Sequence, residues 1–283
     1  MNKIILSADS TCDLDAELVE RYAVNLLPLQ VNLGGKVYKD GVDITPDLIY
    51  ETYQKERILP KTSATNPAEY MEYFKKWTDE GYEVIHLSLG SGLSSTYRNA
   101  CLAAEELGNV YVIDSGNLST GMGLLVIETA ERIASGIDAA QIKEEITELK
   151  SHVHASFVID NLTYLYEGGR CSALAAIGAN LLNIKPCIEV DNTDGKMNVG
   201  KKYRGSLGKV LKRYTLEKLG SYENLNLNRV FITHSGTDSE NIEMIKQLIE
   251  ENYNFKEILI TRAGCTISSH CGPNTVGVLF MTK

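Results

Sequence analysis

No apolar run in this chain approaches the ~20 residues that cross a bilayer, which excludes a helical membrane span. The start, Met1-Asn2-Lys3, leads straight into a β-prone segment without the basic, apolar and small-residue regions of a secretory leader, so the expected compartment is the cytoplasm. Cysteine occurs six times, at 12, 101, 171, 187, 265 and 271, but never as C-x-x-C. Neither a disulfide framework nor a four-ligand zinc site is expected from that scatter, and the thiols read as reduced. Basic residues are in deficit, 28 against 37 acidic ones, for a net charge of −9. That balance argues against nucleic acid or an anionic membrane as the main partner, although it leaves room for a local basic patch. Internal repeats and low-complexity tracts are missing too, and no Gly-x-x-x-x-Gly-Lys-Ser/Thr nucleotide cradle is present.

What remains is an ordinary globular composition, 43% hydrophobic and 23% charged, in 283 residues, enough for a large core and two domains. In the first half, strands expected at Ile4 to Ala8, Glu83 to Leu89 and Val110 to Ile113 alternate with helices, the signature of βαβ units and a doubly wound, mostly parallel sheet. Helix starts are marked by Thr45-Pro46, by Asn66-Pro67-x-Glu69 and by Asp138-x-x-Gln141. Asp9-Ser10-Thr11 reads either as a capping cluster for a helix over Asp13 to Tyr22 or as a loop beside a ligand. Leu26 to Leu33 reads as one apolar run, followed by a hairpin-like turn at Gly34-Gly35, and Lys61 to Thr65 reads as a polar loop. The polar segment from Lys150 to His154 marks the expected boundary. Beyond it come a small-residue helix over 173–182, a hairpin with its turn at Asp191-Asn192-Thr193-Asp194-Gly195, a Thr237-x-x-Glu240 capping box and three further strands, giving a mixed sheet. Antiparallel pairing is expected in this second half and not in the first.

The most informative stretch is His86-Leu-Ser-Leu-Gly-Ser-Gly-Leu-Ser-Ser-Thr-Tyr-Arg-Asn99. A buried strand, a Gly/Ser turn and an Ala-rich helix would form an anion cradle, because the first amides of a helix are unpaired and its dipole is positive there. Ser91, Ser94, Ser95 and Thr96 would add hydroxyl donors.

This turn resembles the Ser-x-Leu-Ser-Gly-Thr-Tyr motif of the DegV family of bacterial fatty-acid-binding proteins, with Ser95 in place of the usual glycine. The resemblance extends along the chain through Asp9-Ser10-Thr11-Cys12-Asp13-Leu14, Tyr38 to Ile44, Thr62-Ser63, Asp114-Ser115, Gly168-Gly169-Arg170, Lys185-Pro186 and His270-Cys271-Gly272-Pro273. It implies two α/β domains: residues 1–150, a Rossmann-like parallel domain carrying carboxylate-binding loops, and residues 151–283, a mixed-sheet domain closing over an acyl chain. It further implies a lipid carrier rather than an enzyme, without a cofactor, that presents a long-chain fatty acid to a separate ATP-dependent fatty acid kinase for acyl-phosphate formation. Carried over residue by residue, Thr62 and Ser94 would contact the carboxylate, with Ser63, Ser95 and His270 near the head. Arg170 and Arg204 would meet a phosphate or the partner. Burying ~14 methylenes at about 0.8 kcal/mol each would supply most of the affinity.

Three other chemistries compete. A serine hydrolase could use Ser94, His270 and an aspartate such as Asp114, although the Gly-x-Ser-x-Gly elbow is absent around Ser94. A phosphate-binding kinase would rest on Gly90-Ser-Gly alone. A metal site would have only His152-x-His154 and His270-Cys271. For His86, His152, His154 and His234 an ordinary loop or sheet role is expected.

Overall fold

The computed structural model describes residues 3–172 and 184–283. Its strands are β1 (Ile4–Asp9), β2 (Asn25–Leu27), β3 (Gln30–Leu33), β4 (Lys36–Lys39), β5 (Lys61–Ser63), β6 (Glu83–Ser88), β7 (Val110–Asp114), β8 (Val153–Val158), β9 (Ile184–Val190), β10 (Met197–Arg204), β11 (Leu225–His234), β12 (Glu257–Arg262) and β13 (Val276–Thr282). Its helices are α1 (Ala16–Arg21), α2 (Pro46–Glu56), α3 (Pro67–Thr78), α4 (Thr96–Leu107), α5 (Ser119–Ala134), α6 (Ala139–Leu149), α7 (Thr163–Gly168), α8 (Leu207–Gly220), α9 (Ser239–Asn252) and α10 (Cys265–Cys271). The helix expected over 173–182 lies outside the described residues. No described helix is long and apolar enough to cross a membrane.

The expected α/β architecture is present. A four-stranded sheet in the order β2-β1-β6-β7 is parallel throughout, and a six-stranded mixed sheet runs β10-β9-β8-β13-β11-β12. Only β11 and β12 are parallel in the second sheet. One face of the parallel sheet packs on α3 and α4 through Tyr70, Phe74, Ala100 and Ala103. The other face packs on α5, whose residues Met122 and Leu124 to Ile127 are fully buried. The middle of this helix is apolar on every side because it is walled on both sides, by β1 and β6 and by β8, β11 and β13.

Several local expectations need correction. Leu26 to Leu33 is not one strand: Pro28-Leu29 separates β2, which pairs with β1, from β3, which pairs antiparallel with β4 and β5. The first half therefore does contain antiparallel pairing, in a three-stranded sheet. Thr62-Ser63 lies in β5 rather than in a loop, because Thr62 pairs with buried Val31 and tertiary pairing overrides the polar sequence. α1 is capped by Asp15, whose side chain accepts from the Leu18 amide, and not by Asp9-Ser10-Thr11. Asp238, not Thr237, is the N-cap of α9, and it makes no side-chain cap bond. The caps at Thr45, Asn66 and Asp138 form as expected, Asn66 with its complete box to Glu69.

Asp9 has other work. Its fully buried carboxylate accepts from the Tyr70 hydroxyl at 2.6 Å, His86 Nε2 at 3.2 Å, the Ser88 hydroxyl at 2.9 Å and the Leu89 amide at 2.9 Å. His86 Nδ1 meets Ser7 at 2.8 Å, so every polar atom of this histidine is satisfied inside the core. The bond to the Leu89 amide fixes where β6 ends and the Gly/Ser turn begins.

That turn meets the β9–β10 hairpin loop at backbone contact. A Cβ on Gly90 would lie 2.8 Å from the Asp194 carbonyl, and one on Gly116 only 2.1 Å from that of Asn192. Close approach, not a positive φ, is what requires glycine at 90. Gly116 combines the approach with φ +54, whereas Gly108, at φ +79, faces open space. Gly108→Ala is expected to cost about 1–2 kcal/mol for the left-handed backbone alone. Gly116→Ala adds overpacking of roughly 1–3 kcal/mol, so its melting temperature should fall about twice as far or more. Thermal unfolding of both variants checks this; equal shifts would mean that the loop contact is not tight.

Candidate ligand-binding site

The two sheets and the small antiparallel sheet converge on a cleft. Leu29, Leu89, Leu93, Leu118, Met197 and Ile267 supply its apolar wall, and Thr62, Ser63, Ser94, Thr266, His270 and Arg170 its polar groups. Leu118, Ile267 and Cys271 also line a second cavity of about 320 Å³, walled by Phe157, Ala263, Gly277 and Leu279. The hydroxyls bordering this second cavity are engaged elsewhere: Ser119 donates to Asp13, Ser235 to the Gly272 carbonyl and Thr275 to the Cys271 carbonyl. An apolar extension thus adjoins the cleft.

Thr62 on β5 and His270 on α10, 208 positions apart, meet at 2.8 Å between Oγ1 and Nε2. Burial, reinforced by the nearby Arg170 charge, pushes the His270 pKa down to about 4, so the ring is neutral near pH 7. Its Nδ1 is buried without a partner among the described residues and packs on Gly168, where a Cβ would lie 2.4 Å away. An orphaned N–H is costlier than a bare lone pair, which favours the proton on Nε2, donated to Thr62. The Thr62 O–H is then free to point into the cleft. Ser94 lines the same cleft, its Oγ 2.7 Å from Thr96 Oγ1 and accepting from the Thr96 amide at 3.3 Å.

Two aspartates set α10 in place. The Gly264 amide donates to Asp13 Oδ1 at 2.9 Å, and the Cys265 and Thr266 amides donate to Asp40 at 2.6 and 3.1 Å. Ser10 donates to Asp40 at 3.0 Å and Ser119 to Asp13 at 2.5 Å. Burial pushes the Asp13 pKa up to about 8, against the hydrogen bonds from Ser119 and Gly264 that lower it. Neither aspartate was singled out in the sequence, although both lie in motifs recognised there; an isolated carboxylate gives no sign of the distant amides it will accept. α7 is fixed from its other side by Tyr164, whose ring meets those of Tyr50 and Tyr53 at 5.9 and 5.1 Å.

The expected site residues separate. Thr62, Ser63, Ser94, His270 and Arg170 share the cleft. Ser95 is exposed ahead of α4 and does not line it, and Arg204 is exposed at the end of edge strand β10. Four amides of the turn ahead of α4 are already engaged: Gly90 N–H donates to the Asn117 carbonyl, Ser91 to Asp114, Gly92 to the Asp194 carbonyl and Leu93 to the Gly90 carbonyl. A hydrolytic triad is not assembled. Ser94 pairs with Thr96, His270 with Thr62, and Asp114 accepts from the Ser91 and Gly116 amides.

Neutral His270 makes its contribution to stability fully above the ordinary histidine pKa of about 6.5 and loses it as pH falls toward about 4, since the unfolded chain protonates first. Burial also pushes His154 down to about 4, so an NMR titration should show both His154 and His270 still neutral at pH 5.5, and only the His270 signal should vanish in His270→Gln. A His270 midpoint near 6.5 would refute the buried, neutral assignment.

Comparison with known proteins gives consistent relationships. Residues 3–283 match the family model described as "Uncharacterised protein, DegV family". A DegV domain-containing protein of Clostridium perfringens is 34% identical over 286 residues, covering 100% of both chains. Among solved structures, the fatty-acid-binding DegV family protein of Thermus thermophilus superposes with a TM-score of 0.91 at 29% identity, over 99% of this chain and 100% of that one. The stearic acid-binding protein of Eubacterium ventriosum gives a TM-score of 0.82 at 27% identity, over 100% of this chain and 99% of that one.

Proposed function

The chain belongs to the DegV family, and from that premise we propose that it is a carrier of long-chain fatty acids. The carboxylate is held by the Thr62 and Ser94 hydroxyls in the cleft, and the acyl tail runs past Leu118 and Ile267 into the adjoining apolar cavity. The observation that carries this reading is the Thr62–His270 pair at 2.8 Å, which with Ser94 lines a cleft that is otherwise largely apolar. The relatives from Thermus thermophilus and Eubacterium ventriosum, which bind fatty acids, support it.

The physical division of labour is simple. Tail burial at ~25 cal/mol per Å² supplies affinity, and hydrogen bonds to the charged head, at roughly 1.5–3 kcal/mol each, fix its direction. Donation by His270 to Thr62 polarises the Thr62 hydroxyl toward the ligand. A neutral imidazole suits this role, because it orients a donor without neutralising the carboxylate. We further propose that the head is presented to a separate ATP-dependent kinase, with exposed Arg170 meeting the developing phosphate or the partner. Arg204 lies outside the cleft and would serve only in partner contact.

Solvent extraction and mass spectrometry of the purified protein should release a long-chain acyl species; no acyl species together with no binding of added palmitate or oleate would overturn the carrier reading. Ser94→Ala should weaken palmitate binding more than methyl palmitate binding, and an unchanged ratio would remove Ser94 from the head site. Purified chain with ATP, Mg²⁺ and fatty acid should yield no acyl phosphate until a kinase subunit is added, because phosphoryl transfer needs a metal-nucleotide cradle that the sequence does not display. Robust ATP-dependent turnover by the single chain would make it an enzyme instead.

A further inference from the structure

We propose that Thr266 is a third hydroxyl donor to the bound carboxylate, an assignment that rests on the fatty-acid reading above. Thr266 lines the cleft, is only 4% exposed, and its Oγ1 is buried without a hydrogen-bond partner among the described residues. A buried hydroxyl left unpaired is costly, and in a native structure it calls for a reason. Here the reason lies in its position. Thr266 and His270 stand four residues apart on α10, one turn above the other on the same face, and both line the cleft. The hydroxyl therefore lies about 6 Å along the helix from the residue that marks the carboxylate end.

The remaining polar groups at the start of α10 are already used. The amides of Gly264, Cys265 and Thr266 all donate to Asp13 or Asp40, so these three are not available to an anion. What the first turn offers the ligand is the Thr266 side chain. A carboxylate has about four acceptor positions on two oxygens. Thr62 and Ser94 supply one O–H each, which leaves a buried head underdonated, and Thr266 fills that deficit. The apo protein accordingly carries an unsatisfied hydroxyl that ligand binding satisfies.

Thr266→Val removes the hydroxyl at nearly constant shape, and Thr266→Ser keeps it. Palmitate and methyl palmitate affinities and the ligand-free melting temperature are measured for both variants and for the unaltered protein. Loss of a hydrogen bond to a charged group should weaken palmitate binding by Thr266→Val roughly tenfold, with a clearly smaller effect on the methyl ester. Thr266→Ser should stay within a few-fold of the parent. The ligand-free melting temperature of Thr266→Val should be equal or higher, since an orphaned group has gone. Unchanged palmitate affinity in Thr266→Val overturns the proposal and leaves the carrier reading standing. A marked fall in its melting temperature also overturns the proposal, because the hydroxyl then has a structural partner. Failure of the unaltered protein to bind palmitate at all overturns the carrier reading and this assignment together.

Discussion

The first amides of a short helix have no acceptors within it, and at α10 those acceptors are two carboxylates from the opposite half of the chain. Asp13 and Asp40 reach across to the Gly264, Cys265 and Thr266 amides, and Gly264 fits between them, where a Cβ would lie 3.1 and 3.2 Å from their oxygens. Because α10 carries both His270 and Thr266, the position of the polar wall is set from outside its own sheet. Asp9 exerts a parallel control on the facing wall: it fixes the Leu89 amide and with it the turn that leads to Ser94. Three buried aspartates in the first forty residues thus place groups 80 residues away, for Asp9, and 225 to 251 residues away, for Asp40 and Asp13.

The chemistry of the cleft is that of recognition by neutral donors. His270 is held uncharged and paired with Thr62, Ser94 is bonded to Thr96, and Asp114 is occupied by turn amides, so Ser94, His270 and Asp114 do not form a relay. Cys271 shares the wall, but burial pushes its thiol up to about 12 and makes it a packing residue. A ligand already ionised at neutral pH needs orientation and desolvation rather than proton transfer, and this arrangement provides both.

The α/β alternation, the hairpin and three helix caps were legible in the sequence because each depends on local period or local hydrogen bonding. What depends on distant partners was not. Thr62 in a polar segment reads as loop until Val31 pairs with it, and Asp9 reads as a cap until Tyr70, His86 and Ser88 converge on its carboxylate. Gly90 and Gly92 read as a turn opening an anion cradle, yet their amides are spent on Asn117 and Asp194 and their missing side chains admit the hairpin loop. Thr62, Ser94 and His270 were found through motif resemblance, whereas Thr266 has no signature, being an ordinary threonine made conspicuous only by its lack of a partner.

Helix α5 places a different demand on the chain. Its middle, Met122 and Leu124 to Ile127, is fully buried between two sheets, and only toward its end, at Glu131, does it reach water. Neither half, made alone, would cover both sides of it: cut near residue 150, the N-terminal piece would keep β1 and β6 against one side and bare the other, and the C-terminal piece would bare the sheet that covers it. The natural unit of manufacture is therefore the whole polypeptide, and a ribosome that has released only the first half has released something prone to stick to its neighbours.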